Sequence, residues 1–258
     1  MEDTATKSPP EVAELDFSDL KVALKKGWQD FLKAPFIGIV FGAIFAALGW
    51  LMLAQTFYWK SDWSIVPLAA GFPLVGPFVA VGMYEISRLL GRGKAVTWRS
   101  VLSAIWEERR RQIPSIAFVV LFIFLIWVYM AHLVFALSFG LKPLTNVLSS
   151  LDFLKSQEGI TMLMLGSLVG GILSFILFSV TVVGIPLLVD REVDVVTAMV
   201  ISFSSVLNNL RVMLSWGVLV AVLLAIAIIP AFFGLLIVLP VLGHATWHLY
   251  KLAVLPEE

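Results

Sequence analysis

The sequence predicts an all-α membrane protein, and three observations support this fold class. Hydrophobic residues make up 60% of the 258-residue chain and charged residues only 14%, whereas soluble domains carry about 25% charged residues. Six apolar segments approach the roughly 20 residues that a membrane-spanning helix needs. Lysine and arginine are distributed unevenly over the segments that connect them. We therefore predict a polytopic bundle of six transmembrane helices.

The six spans are predicted at about 35–58, 64–88, 114–138, 160–188, 213–229 and 231–252. Pro230 marks the short connection between the last two spans, and no charged residue lies in the middle of any span. Residues 1–16 are acidic and lack an apolar run. They predict a disordered cytoplasmic tail, which leaves a single transmembrane domain over 17–258.

The basic residues predict the orientation of the chain, because lysine and arginine favour the cytoplasmic side of a membrane. With six spans, one side holds the N-terminus, the loops 89–113 and 189–212, and the C-terminus. All but three of the 18 basic residues lie on this side, which we call the basic side; the exceptions are Lys60, Lys142 and Lys155. We therefore expect both termini in the cytoplasm.

Three stretches on the basic side have apolar residues at helical spacing: 17–35, 96–114 and 194–212. Each is typical of an amphipathic helix that lies in the cytoplasmic interface of the membrane. Asp30 is placed off the apolar face of the first helix. The residues on that face are Phe17, Leu20, Leu24, Trp28 and Phe31. Thr97 and Asp194 are expected to cap the second and third helices.

Each of these stretches is followed by two spans, which indicates a threefold internal repeat with units at about 17–92, 95–190 and 194–253. The closing span of each unit has a proline with a polar residue eight positions later. These pairs are Pro77 and Glu85, Pro186 and Asp194, and Pro240 and His248. Repeats in membrane proteins often meet at a shared axis or site. Coincidence of composition is the alternative interpretation.

Small residues recur in the predicted spans, and they let helix backbones approach closely in lipid. The glycines expected at helix contacts are Gly42, Gly49, Gly76, Gly82, Gly166, Gly170 and Gly243. Packing inside one bundle is the simpler interpretation. A lateral interface with a second copy or with a partner is the alternative. Tryptophans 50, 59, 63, 106 and 247 lie near predicted span ends, as in the aromatic belts of membrane proteins.

Ionisable residues cluster at the ends of the spans on the basic side. The candidate site residues are Glu85, Arg88, Asp190, Arg191, Asp194, His244 and His248. One interpretation is a solvated loop held against lipid headgroups. The other is a rim network, in which Glu85, Asp190 or Asp194 pairs with Arg88, Arg191 or His248.

His244 and His248 would share one helix face, one turn apart. Hydrogen bonds to acidic side chains or to the backbone are the favoured interpretation, so no cofactor is expected. Metal or haem binding is the alternative, and it needs a further ligand such as Glu85 or Asp194. His132 lies about 25 Å from the basic end of its span, so it cannot join the pair in one site.

No enzymatic constellation is present: there is no Ser-His-acid spacing, phosphate-binding loop or H-E-x-x-H motif, and cysteine is absent. The formal net charge of zero gives no reason to expect nucleic-acid binding. We therefore predict a non-enzymatic scaffold or accessory subunit that contacts membrane lipids and other membrane proteins, including a respiratory complex. A channel or carrier for a small solute is the first alternative, and haem or metal binding at the rim is the second.

Four segments, "KKGWQDFLKAPFIGIVFG", "LAAGFPLVGPFVAVGMYEISRLLGRG", "PLLVDREVDVVTAM" and "LPVLGHATWHLYK", resemble a bacterial membrane family known as domain of unknown function 2189. The resemblance implies a multispanning protein of the inner membrane of proteobacteria. Some members carry a label likening them to cytochrome c oxidase subunit I, but the depths of the three histidines argue against a haem–copper centre here. The resemblance supplies no activity and no functional residues.

Overall fold

The computed structural model describes residues 10–59, 69–140 and 156–255. The chain forms two compact units. The first is Met1–Phe118 with Ser179–Glu258 and the second is Val119–Phe178, where the sequence predicts one transmembrane domain over 17–258. The second unit takes in most of the third and fourth spans.

The described residues are almost entirely helical. The helices are α1 (Phe17–Lys33), α2 (Pro35–Ala54, continued by a π-helical turn Gln55–Trp59), α3 (Gly71–Gly91), α4 (Trp98–Glu108), α5 (Ile113–Phe139), α6 (Gln157–Thr181), α7 (Gly184–Asp190), α8 (Val195–Asn208), α9 (Leu210–Ile228) and α10 (Leu235–Ala253). Six candidate membrane spans follow from length and composition, which confirms the prediction.

The spans lie within a few residues of their predicted positions: Pro35–Tyr58, Gly71–Gly91, Ile113–Phe139, Gln157–Asp190, Leu210–Ile228 and Leu235–Ala253. The fourth span combines α6 and α7. The predicted start of the second span, at 64–68, and Trp63 lie outside the described residues, as do residues 1–9 of the tail.

Local sequence signals set where the helices on the basic side begin. Asp16 and Asp19 form a reciprocal capping box at the start of α1. Thr97 caps α4 in the same way, and Asp194 accepts hydrogen bonds from the first amides of α8. Both of these caps are as predicted. Pro35 then starts α2, where its missing N–H costs nothing.

The helix α1 packs most extensively against α10, and small residues form much of the contact. Leu20, Ala23, Gly27, Asp30 and Phe31 are its buried positions. Two residues of the predicted apolar face, Phe17 and Trp28, are 56% and 45% exposed, which leaves them free to face lipid, whereas Asp30 is buried against α10. The small residues lie on the face of α1 that contacts α10, because they allow the two helix backbones to approach closely. The large side chains of Phe17 and Trp28 lie on the outer face.

Gly27 marks the closest point between α1 and α10. A Cβ atom built on Gly27 would lie 2.6 Å from the backbone nitrogen of Ala245. Gly42 has the same role between α2 and α10, where a Cβ would lie 2.6 Å from the carbonyl oxygen of Leu235. Since α10 also contacts α3, it is the central helix of the first unit.

The other predicted packing glycines divide into two groups. A Cβ on Gly49, Gly82 or Gly243 would meet Phe232, Phe41 or Met83, respectively, at 3.0 Å or less. A Cβ on Gly76 or Gly166 would meet nothing within 4 Å, and one on Gly170 would meet only the indole nitrogen of Trp127, at 3.5 Å. The predicted packing glycines of the first unit, Gly76 excepted, therefore serve internal packing. In the second unit Gly166 faces open space, and Gly170 lies at ordinary contact distance from Trp127.

Part of the predicted tail is ordered, which corrects the prediction for residues 10–16. Val12 and Val254 form an isolated antiparallel bridge, and the Ala13 amide donates to the Ala253 carbonyl at 2.9 Å. The Leu15 amide donates to the Asn209 side chain at 2.7 Å. These partners satisfy backbone groups that a free tail would leave to water, and they hold the segment against the end of α10.

The opposite end of the bundle is held by Trp50. Its indole N–H donates to the carbonyl of Ala231 at 2.5 Å, and its ring packs edge-on against Phe233 at 4.7 Å between centroids. Ala231 and Phe232 both have positive φ, at 50° and 67°, a conformation that costs energy for residues with a Cβ. The Trp50 contacts therefore stabilise the strained turn between α9 and α10, where the sequence predicts the short connection.

The contact at Gly27 provides a test of this packing. Gly27→Ala would force the α1 and α10 backbones apart, so we expect a loss of about 1–3 kcal/mol of unfolding free energy. Thermal unfolding of the protein in detergent measures the effect. Gly76→Ala is the matched control, because its new methyl group meets nothing and helix propensity favours alanine. Equal melting temperatures for the two variants would contradict the packing argument.

Candidate functional site

The candidate site is a group of four side chains on the basic side, which we call the polar cluster: Asp30, Ser87, His244 and His248. They come from three helices of the first unit, since α1 supplies Asp30, α3 supplies Ser87 and α10 supplies both histidines. Ser87 is 1% and His244 0% exposed. The cluster thus places polar side chains in the tightly packed contact of α10 with α1 and α3.

The strongest interaction of the cluster joins α1 to α10. The Nε2 atom of His248 lies 2.6 Å from Oδ2 of Asp30, and the two side chains are 17% and 8% exposed. Burial by itself raises the pKa of Asp30, but the hydrogen bond and the charge of His248 outweigh it, with help from Ser87 and His244. The pKa of Asp30 is therefore lowered, which favours the carboxylate that the imidazole N–H needs as acceptor.

The second interaction joins α3 to α10. The hydroxyl oxygen of Ser87 lies 2.9 Å from Nδ1 of His244. Either partner can be the donor: the Ser87 hydroxyl can donate to Nδ1, or an Nδ1–H can donate to the hydroxyl oxygen. The Nε2 atom of His244 is buried without a hydrogen-bond partner among the described residues.

The cluster contains serine, histidine and aspartate, yet its geometry differs from that of a catalytic triad in two ways. In a triad one imidazole joins the serine to the carboxylate, whereas here Ser87 contacts His244 and Asp30 contacts His248. In addition, Ser87 is buried in the contact between helices, where a substrate cannot reach its hydroxyl. The arrangement therefore suits the joining of three helices.

An aromatic layer lies beside the cluster. Trp247 stacks on Tyr84 of α3, with 5.9 Å between ring centroids, and also packs against Tyr250. Trp247 is only 4% exposed, so its predicted place in an aromatic belt needs correction. An indole ring of this size contributes more when it fills a helix contact than when it lies at the surface.

Two ion pairs lie near the C-terminal ends of α3 and α4. Arg88 donates to Glu85 at 2.6 Å, and Arg111 donates to Glu108 at 2.5 Å. Burial raises the pKa of Glu108, although Arg111 and Arg88 oppose this effect. The charge of Arg88 therefore acts on both carboxylates and links the end of α3 to α4.

A further group joins α7 to α10. Asp190 accepts hydrogen bonds from the hydroxyl of Tyr250 at 2.8 Å and from the ammonium of Lys251 at 3.0 Å. The guanidinium of Arg191 donates to the carbonyl of Leu255. Asp194 is exposed and caps α8. Hydrogen bonds from the Thr197 hydroxyl and from the amides of Thr197 and Val196 lower its pKa.

The predicted rim network is present only in part. Of the pairs proposed, the structure shows Glu85 with Arg88. Asp190 accepts its hydrogen bonds from Tyr250 and Lys251, which were not among the predicted partners. Asp194 and His248 do not occupy equivalent positions, because Asp194 lies beyond the end of α7 and His248 lies inside α10. Asp30 and Ser87 were not predicted as site residues. For Asp30 the one signal in the sequence is a polar residue at the helical spacing of Ala23 and Gly27, which are also buried in α1.

The histidines are arranged differently from a metal site. Within the described ranges, no group of three His, Asp, Glu or Cys side chains could hold a metal ion. His244 and His248 use different ring atoms toward different partners, Ser87 and Asp30. His132 belongs to the second unit, is exposed and contacts the carbonyl of Val128 in its own helix.

The fold and the polar cluster together define a polytopic α-helical membrane protein whose polar side chains join helices at one side. Residues 65–190 match the model of a family described as "Predicted integral membrane protein (DUF2189)", and this match confirms the family resemblance of the sequence over that part of the chain. A search of curated proteins and a search of solved structures found no match.

The bond between Asp30 and His248 provides the second prediction. His248→Ala leaves a buried carboxylate without its partner, so we expect a loss of about 1–3 kcal/mol of unfolding free energy. His132→Ala is the control, because it removes only an exposed contact within α5. In a double-mutant cycle with Asp30→Ala, thermal unfolding should show that the two losses do not add. Additive losses would mean that the pair does not interact.

The pKa shifts predict opposite effects of pH at two carboxylates. The lowered pKa of Asp30 means that its contribution to stability is complete above the ordinary value of about 4 and is lost as pH falls through the folded-state pKa. The melting temperature of Asp30→Asn should therefore approach that of the natural protein in acid. The raised pKa of Glu108 means that its ionisation lowers the stability of the folded protein. The melting temperature of Glu108→Gln should therefore rise relative to that of the natural protein as pH increases above about 4. Melting curves of the two variants and the natural protein over this pH range measure both effects. If the two differences in melting temperature changed in the same direction with pH, the prediction would be contradicted.

Proposed function

We propose that the protein is a non-enzymatic membrane scaffold or accessory subunit that holds a transmembrane helix of another membrane protein. The observation that carries the proposal is an open cleft in the second unit, between α5 and α6. The cleft has a volume of about 570 Å³. Its wall on α6 includes Gly166, Ser167 and Gly170, and its wall on α5 includes Trp127 and Met130.

The chemistry of the cleft suits a protein helix. Glycines let another backbone approach closely, which is how helices associate in lipid. Cβ atoms on Gly166 and Gly171 would meet nothing within 4 Å, so these positions are open to a neighbour. Met130 and Met162 on the opposing walls adapt readily to the shape of a partner. The Ser167 hydroxyl and the Trp127 indole supply hydrogen-bonding groups.

The shape of the cleft favours a different protein over a second copy of this chain. A symmetric dimer places the same patch on both subunits, and two identical concave surfaces cannot fill each other. A convex transmembrane helix fills such a cleft. The occupant we propose is therefore a helix of a partner membrane protein, with membrane lipids around the remaining surface.

The charge distribution supports a location for this function. The basic side holds all but three of the 18 lysine and arginine residues, and such an excess is typical of the cytoplasmic side. The proposed protein lies in the bacterial inner membrane with both termini in the cytoplasm. The polar cluster then fixes the first unit at that side while the second unit contacts the partner.

A pair of glycine variants tests the proposal. Gly166→Leu should fold, because its side chain enters open space, but it should fill the cleft and exclude the partner. We expect its melting temperature to stay within a few degrees of the natural value, while the higher-mass complex on a native gel of gently solubilised membranes is lost. Leu168→Ile is the control, because Leu168 is 60% exposed on α6 and does not line the cleft.

Photo-crosslinking then identifies the occupant. A photoreactive residue at Leu163, in the cleft, should yield one defined protein partner whose capture disappears in Gly166→Leu, and the same residue at Leu168 should not. Crosslinks to a second copy of the chain, to another segment of the same chain, or to lipid alone would each overturn the proposal. Equal capture from both positions would do the same.

A further inference from the structure

A second cavity, in the first unit, has a different chemistry. Its volume is about 510 Å³, and it lies where α1 passes into α2 and where the loop after α3 passes into α4. Two lysines, Lys33 and Lys94, line it together with Phe36 and Trp98. We call it the lysine cavity. It shares no residue with the polar cluster or with the cleft of the second unit.

The position of the lysine cavity places it at the surface of the bilayer. The first span begins at Pro35 and the second ends at Gly91, and residues next to both ends line the cavity. Trp98 is 41% exposed, and partly exposed tryptophans are typical of the headgroup level. The cavity therefore opens where the polar headgroups of the basic side meet the acyl chains.

The charged residues that line the cavity favour an anionic ligand. Among the residues that line it, Lys33 and Lys94 are basic and none is acidic. Both lysines are exposed, and in the described part of the chain neither forms an ion pair with a carboxylate. Lysine side chains at span ends reach the headgroup region and attract anionic lipids there.

The same cavity has an apolar side that a free anion would not use. Phe36, in the first turn of the first span, is 80% exposed, and Pro35, Ile37 and Leu90 also line the cavity. An acyl chain can lie against these side chains while a phosphate lies between the lysines. One ligand that satisfies both sides of the cavity is a membrane phospholipid.

We propose that the lysine cavity binds the headgroup of an anionic glycerophospholipid from the leaflet on the basic side. Lys33 and Lys94 contact its phosphate, Trp98 lies at the level of its glycerol, and Phe36 contacts the start of an acyl chain. Because α1 ends at Lys33 and α4 begins at Trp98, the bound lipid contacts both helices and links them. This proposal does not depend on a helix in the cleft of the second unit.

Lipid nanodiscs test the site. The protein is placed in phosphatidylcholine alone or in phosphatidylcholine mixed with phosphatidylglycerol, and lipids retained by the purified protein are counted by native mass spectrometry. The natural protein should retain phosphatidylglycerol selectively and melt at a higher temperature in the mixture. The double variant Lys33→Gln with Lys94→Gln should bind phosphatidylglycerol roughly twenty-fold more weakly and lose the gain in melting temperature.

The control removes the same charge elsewhere on the same side. Lys25→Gln with Lys26→Gln neutralises two exposed lysines of α1 that do not line the cavity, and it should retain the natural preference. Both double variants should melt like the natural protein in phosphatidylcholine, which separates binding from folding. Equal losses in the two variants would show diffuse attraction to the surface and overturn the site. A stabilisation by inorganic phosphate in detergent as large as that by phosphatidylglycerol would overturn the lipid as its ligand.

Discussion

The close approach of α1 to α10 is the constraint on which the basic side of the protein depends. A glycine at position 27 is needed because a Cβ there would lie 2.6 Å from the backbone of Ala245. At this separation the short side chain of Asp30 reaches His248, at 2.6 Å. The steric contact and the polar contact therefore support each other. Because α10 also contacts α2 and α3, its position determines where the helices of the first unit can lie.

The spans, their connections and the helix caps could be predicted from the sequence because their signals are local. A run of about 20 apolar residues identifies a span wherever it occurs, and a cap such as Thr97 or Asp194 acts on amides two or three residues away. The short turn after Pro230 is of the same kind. None of these features requires knowledge of which helix lies beside which.

The buried face of α1 and the polar cluster could not be predicted in the same way. In a soluble protein large apolar residues mark the core, but in a membrane they can also face lipid, so Phe17 and Trp28 do not reveal which face of α1 packs on α10. Asp30 and His248 are 218 positions apart in sequence, and no local pattern joins residues so distant. The division into two units follows from which residues lie close together in space, and composition does not show that.

The two units use glycine in different ways. In the first unit Gly27, Gly42 and Gly243 lie against other helices of the chain. These glycines are therefore already in contact within the protein. In the second unit Gly166 and Gly171 face open space. The ion pairs and the lysine cavity belong to the first unit, where charge reaches the headgroups. The proposed function therefore assigns the partner helix to the second unit, where glycine surface is still open, and assigns the position in the membrane to the first.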